Sequence, residues 1–125
     1  MLILNIDDDE DDGFIFMEAV REINPAITCL FISTGREAIQ LLSNDLGMLP
    51  DYIFLDINMP GMNGRECLVQ LRKMEKLKDV SVVMFSTAIP DWERPRYNDL
   101  NAECFQKPTD FTSLKVTLKK IIGLH

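Results

Sequence analysis

Four short clusters in this sequence carry groups able to do polar chemistry. The first is an unbroken acid run, Asp7-Asp8-Asp9-Glu10-Asp11-Asp12. The second is Asp56, followed by Ile57-Asn58-Met59-Pro60-Gly61-Met62-Asn63-Gly64. The third is Ser86-Thr87-Ala88, and the fourth Lys107-Pro108. Together they offer carboxylates, a hydroxyl and an ammonium, and crowded carboxylates need a nearby cation to stay ionised. Taken singly, each has a structural explanation. Acids at a helix start are favoured by the helix dipole, a lone Asp after a strand is a turn former or cap, Ser86 serves as a turn hydroxyl and Lys107 as a surface charge. What favours chemistry is that all four fall at the same structural place, which depends on the elements presenting them.

Five apolar runs precede or lead into these clusters: Leu2–Ile6, residues 27–32, Tyr52–Leu55, residues 80–85 and a weaker pair at 104–105. The first four are short, largely continuous and rich in Ile, Val, Leu and Phe, as in strands covered on both faces of a parallel sheet. Helical spacing fills the gaps, with Phe16, Ala19, Val20 and Ile23, then Ile39, Leu42 and Leu46, then Cys67, Leu71 and Met74. A last helix carries Leu114, Leu118, Ile121 and Ile122, with Lys115, Lys119 and Lys120 on its other side. Thr34-Gly35 and Asn63-Gly64 open helices, Thr109 or Asp110 caps the last, and Asn24-Pro25 and Leu49-Pro50-Asp51 close helices before strands. Alternation of strand and helix predicts an α/β fold with right-handed crossovers, five strands and about five helices. In such sheets ligands gather at the carboxyl ends of strands. The four clusters stand at those ends, so the topology brings them to one edge.

The composition bounds the rest. The 125 residues fit one domain, and 46% hydrophobic with 26% charged residues is a globular mixture. A formal net charge of −7 disfavours phosphate-backbone and anionic-membrane partners, which need clustered Lys and Arg. Cys29, Cys67 and Cys104 are widely spaced and form no Cys-x-x-Cys pair, so they read as reduced core thiols of a cytoplasmic protein. The amino terminus lacks the basic region of a signal peptide, and no apolar run approaches the roughly 20 residues of a membrane span.

With these motifs in hand, the sequence resembles a response-regulator receiver domain, the phosphoacceptor half of bacterial two-component signalling. Asp7-Asp8, Asp56 with the loop through Gly64, Ser86 and Lys107-Pro108 carry the resemblance, which covers essentially the whole chain. It implies a flavodoxin-like doubly wound sheet in the order 2-1-3-4-5. It implies that Asp56 is the nucleophile that takes a phosphoryl group from a histidine kinase or histidine phosphotransfer protein. It further implies Mg²⁺ as the ion, held by Asp8, Asp56 and the backbone carbonyl of Asn58, with Asp7 supporting through water. Lys107 would supply a mobile charge to Asp56 or a phosphoryl oxygen, and Ser86, rather than Thr87, would hydrogen-bond the phosphoryl group and draw its loop inward. A cis bond is implied at Lys107-Pro108. The family's aromatic switch position, three before the Lys, holds Cys104, with Phe105 one residue on. Since nothing follows the last helix, the expectation is a receiver over residues 1–125 without an output domain, signalling to a separate protein partner.

Rival readings fit less well. An EF-hand suggested by Asp8, Glu10, Asp12 and Gly13 would need Glu where Ala19 stands and Asp or Asn at Glu10. A haloacid-dehalogenase-type phosphatase would need a second Asp at Asn58, or Thr or Val at Asp11. A pseudo-receiver acting only as an interaction module is the alternative reading, against which stands the presence of every site residue. One segment departs from the family pattern. In residues 89–100 a fourth helix is due, but Pro90 and Pro95 interrupt it, and Pro inside a helix costs about 3 kcal/mol. Any helix there should be short and begin near Pro95, leaving Trp92 in the preceding loop and Trp92, Arg96 and Tyr97 as a partner surface. Neither Trp92 nor His125 carries a motif.

Overall fold

The computed structural model describes residues 1–44 and 49–123. Five parallel strands, β1 (Leu2–Ile6), β2 (Thr28–Ile32), β3 (Tyr52–Leu55), β4 (Ser81–Ser86) and β5 (Ala102–Gln106), form one sheet in the order β2-β1-β3-β4-β5. Helices α1 (Glu10–Ile23), α2 (Gly35–Ser43), α3 (Gly64–Arg72), α4 (Arg94–Asp99) and α5 (Phe111–Ile121) connect or follow them, with short 3₁₀ turns at Glu75–Leu77 and Asp91–Glu93. The expected fold class is what the structure has. β5 is longer than its two-residue apolar run because ladder pairing with β4, from Val82 opposite Ala102 to Ser86 opposite Gln106, recruits its polar neighbours.

Alternation along the strands divides the core in two. Leu2, Leu4 and Ile6 of β1 join Ile53, Leu55, Val82 and Met84 beneath α2, α3 and α4. Ile3 joins Phe54, Val83 and Phe85 beneath Phe16, Ala19 and Val20 of α1 and Leu114 and Leu118 of α5. Burial pushes the thiols of Cys29 and Cys67 up to about 12, so both stay protonated.

The helix starts are capped by the residues whose types predict it. Thr34 Oγ1 accepts from Glu37 N at 3.0 Å, and Asp110 Oδ1 accepts from Ser113 N at 2.8 Å. Asn63 and Glu66 exchange hydrogen bonds as a capping box. Met74 falls just beyond α3, although it still packs on the first core. Leu46 and His125 lie outside the described residues.

Three expectations about the second half meet different outcomes. The fourth helix is short, and Pro95 stands in its first turn, where a missing N–H costs nothing. Tyr97 is no surface contact: it is fully buried, its ring completing the first core and its hydroxyl donating to Glu93 Oε2 at 2.9 Å. The Lys107–Pro108 bond is trans, not cis. Trans is the intrinsically favoured isomer by about 0.5–1 kcal/mol, and the Lys107 side chain reaches the acidic edge from it.

Candidate phosphoacceptor site

Backbone hydrogen bonds fasten the strand ends to one another. Asp7 N donates to Ile32 O at 3.1 Å, Asp56 N to Ile6 O at 3.0 Å, and Lys107 N to Ser86 O at 2.8 Å. Because the strands are parallel, the residues following them emerge on one edge, and the sequence's four clusters meet there. Carboxylate oxygens of Asp7, Asp8 and Asp56 lie within 4.8 Å of one another. Asp7 is buried, Asp8 exposed and Asp56 half-buried.

Lys107 answers this negative charge. Its Nζ stands 2.6 Å from Asp7 Oδ2, 3.5 Å from Asp12 Oδ2 and 4.0 Å from Asp56 Oδ1. Burial pulls the ammonium's pKa down, but the Asp7 hydrogen bond and the charges of Asp56, Asp7 and Asp12 outweigh it, and the net shift is upward. Asp56 is held above the usual carboxylate range by burial first, against the Lys107 charge, with Asp7 adding repulsion. Its Oδ1 accepts from Ile57 N at 2.9 Å, so Oδ2 is the freer oxygen. Ser86 Oγ is buried without a hydrogen-bond partner. It faces Asp56 outside good bonding geometry, and its pull on that carboxyl comes after burial and the charges of Lys107 and Asp7. Thr87 is exposed, and its carbonyl accepts from Gln106 Nε2 at 3.0 Å, tying the loop after β4 to the end of β5.

The loop from Asp56 to α3 is anchored at both sides. Ile57 and Met59 are buried in the first core, Gly61 adopts a positive φ of 72°, and Gly64 N donates to Ile57 O at 2.8 Å. Asn58 is exposed on this loop, two residues past Asp56.

A response regulator receiver domain model matches residues 3–119. The chain belongs to that family. It is 28% identical over 125 residues to the probable methanogenesis regulatory protein FilR2 of Methanothrix harundinacea, covering 96% of this chain and 80% of FilR2. It is 24% identical to response regulator Rcp1 of Synechocystis, over 99% of this chain and 86% of Rcp1. It spans only 15% of a longer relative, the sensor histidine kinase CheAY of Helicobacter pylori, at 28% identity. Among solved structures, the phosphorylated cyanobacterial phytochrome response regulator RcpA superposes with a TM-score of 0.86 at 27% identity, over 96% of this chain and 89% of RcpA. The Mn(2+)-bound form of Rcp1 gives 0.82 at 22% identity, over 96% and 90%.

Two features of this receiver's site were not singled out in the sequence. Asp12 joins the Lys107 cluster from the first turn of α1, at the end of the acid run. Arg65, the second residue of α3, reaches across to buried Glu93 at 2.8 Å, and Glu93 also accepts from Tyr97. That link fastens the end of the Asp56 loop to the start of α4. At the family's aromatic switch position, Cys104 faces the first core and Phe105 the second.

No helix among the described residues is long and apolar enough to cross a membrane.

Proposed function

We propose that this receiver accepts a phosphoryl group on Asp56 from a phosphohistidine of a histidine kinase or histidine phosphotransfer protein. The observation that carries the reading is the convergence of Asp7, Asp8 and Asp56 beside the one ammonium of Lys107. Oδ2 of Asp56 attacks phosphorus, a P–O bond forms, the P–N bond breaks, and its electron pair returns to the imidazole nitrogen.

The donor set is all oxygen and rich in carboxylate, which suits a hard divalent cation such as Mg²⁺. Asp8, Asp56 and the Asn58 carbonyl would hold it, with Asp7 supporting through water. When bound, the ion offsets negative charge on the transferring phosphoryl oxygens. Rcp1 solved with Mn(2+) and RcpA solved phosphorylated lend support by kinship.

Lys107 pairs with Asp7 and stands close enough to meet a phosphoryl oxygen on Asp56. The unpartnered Ser86 hydroxyl is a donor waiting for a new acceptor, and phosphoryl oxygens supply one. Turning toward the phosphoryl group would shift the loop after β4 and, through it, Glu93 and α4, and so signal to a protein partner.

Incubation with acetyl phosphate and Mg²⁺, read by intact mass, tests this. One added phosphoryl group is expected, abolished by EDTA and by Asp56→Asn. Phosphorylation that persists in Asp56→Asn overturns the site assignment. No phosphorylation from acetyl phosphate or a kinase overturns the function in favour of a phosphorylation-independent interaction module.

A further inference from the structure

Asn5 is the one polar residue of β1, and alternation along the strand points it, with Ile3 and Asp7, to the face covered by α1 and α5. It is 4% exposed. A buried amide ordinarily spends its donors and acceptor on partners, because leaving them unmade costs about 1–3 kcal/mol. The Asn5 amide is not among the polar atoms sealed from solvent without a partner, which among the described residues are Arg65 Nε and Ser86 Oγ. It instead lines a cavity of about 240 Å³ between α1 and α5, next to the acidic edge but distinct from the Asp56 loop.

The cavity's other walls state what would fill it. Phe16, Phe85 and Leu114, all buried, give it an apolar lining together with half-buried Phe111. A dry apolar cavity of about 150 Å³ is known to hold one benzene ring, so this volume suits a single ring with short substituents. Asp7, Asp12 and Asp110 also line this cavity, against the single ammonium of Lys107; the Asp7 side chain is 2% exposed and the Asp110 oxygens accept from Ser113, which leaves Asp12 the most open carboxylate. Lys107 is held most closely by Asp7 at 2.6 Å and only loosely by Asp12 at 3.5 Å, and the Asp12 side chain, 45% exposed, keeps room to meet a second cation. An anion would be repelled there, and a protonated amine attracted.

We propose that this cavity is a binding site for a monocyclic aromatic amine whose ring carries a hydrogen-bonding substituent. The ring lies on Phe16, Phe85 and Leu114, the ring substituent meets the Asn5 amide, and the ammonium meets Asp12. The site does not depend on phosphoryl acceptance by Asp56. Asp7 and Lys107 line both places, so an occupant would press on the ion pair at the phosphoacceptor edge.

Titration of the unphosphorylated protein with tyramine, followed by amide and methyl NMR without phosphodonor, tests the proposal. Saturable shifts are expected at the Asn5 side-chain amide and the Leu114 methyls. Phenethylamine, which lacks the hydroxyl, and 4-ethylphenol, which lacks the amine, should each bind about five-fold more weakly, the worth of one hydrogen bond or exposed charge contact of about 1 kcal/mol. Asn5→Leu should erase the preference for tyramine over phenethylamine, and the rim variant Asp12→Asn its preference over 4-ethylphenol. Absence of saturable shifts overturns the site. Equal binding of the three compounds, or preferences that persist in Asp12→Asn, overturns the ligand class, even if Asn5→Leu does not fold.

Discussion

Gly64 lies directly against the backbone of Asp56: a Cβ built on it would stand 2.7 Å from Ile57 Cα, and closer still to the Asp56 carbonyl oxygen. The first turn of α3 therefore rests on the residue before the loop that follows β3, with no room for a side chain between them. Both obstacles are backbone, which does not rotate away. Gly64→Ala should destabilise the fold by about 1–3 kcal/mol, as overpacking does, and should displace Asp56. Urea unfolding measures the first effect. A variant as stable as the parent would show that the loop yields at no cost.

Lys107 and Asp7 form a pair in which the Asp7 side chain is 2% exposed and the Lys107 side chain 13%. Removing one partner leaves the other buried without compensation, so Lys107→Met should cost about 1–3 kcal/mol. Adding Asp7→Asn should restore part of that loss, with a coupling energy of about 0.5–3 kcal/mol in a double-mutant cycle. Strictly additive losses would mean that the two groups do not sense each other.

Arg72 gathers four backbone carbonyls, those of Leu77 at 2.9 Å, Val80 at 3.1 Å, Leu100 at 2.8 Å and Asn101 at 2.8 Å. They come from the 3₁₀ turn, where Leu77 O also accepts from Val80 N, from the residue before β4, from the end of α4 and from the left-handed Asn101, with φ of 58°. Arg72→Met should cost about 2–3 kcal/mol. Arg72→Lys should recover less than half of this, since an ammonium cannot span the same set. Thermal unfolding of the two variants provides the check.

Buried Glu93 is met by Arg65 Nη2 at 2.8 Å and by the Tyr97 hydroxyl at 2.9 Å. Tyr97→Phe removes one partner without changing the packing of the ring, and should cost about 1–2 kcal/mol by equilibrium unfolding. A cost near zero would mean that water replaces the hydroxyl.

Asp110 caps α5 through bonds from the Ser113 backbone and hydroxyl, and these hold its pKa below 3.8. An acid depressed in the folded state stabilises the fold above its unfolded pKa of 3.8 and loses that contribution as pH falls through the folded value. The melting-temperature difference between the parent and Asp110→Ala should be largest near neutral pH and shrink in acid. A difference independent of pH would mean that the carboxylate charge plays no part.

Much of this was legible one residue at a time. Continuous Ile, Val, Leu and Phe runs between helical periods suffice for the central parallel strands, because only a sheet covered on both faces buries such a run, while the edge strand β2 keeps Leu30 exposed. Thr34, Asn63 and Asp110 announce helix starts because their short side chains satisfy free N–H groups locally. The edge assembly of Asp7, Asp8, Asp56, Ser86 and Lys107 follows once the strands are parallel, since each ends its strand or lies within two residues of its end.

What the chain alone left open are relations between residues remote in sequence. Tyr97 looked like a surface aromatic until the packing of α4 on the sheet supplied Glu93 as partner for its hydroxyl and the first core for its ring. Asn5, a single polar residue in an apolar strand, became meaningful only when α1 and α5 met above it and left its amide facing a cavity. Local propensity and period act over a few residues and are written in order along the chain, whereas burial and partnership are properties of surfaces that exist only after the helices have packed.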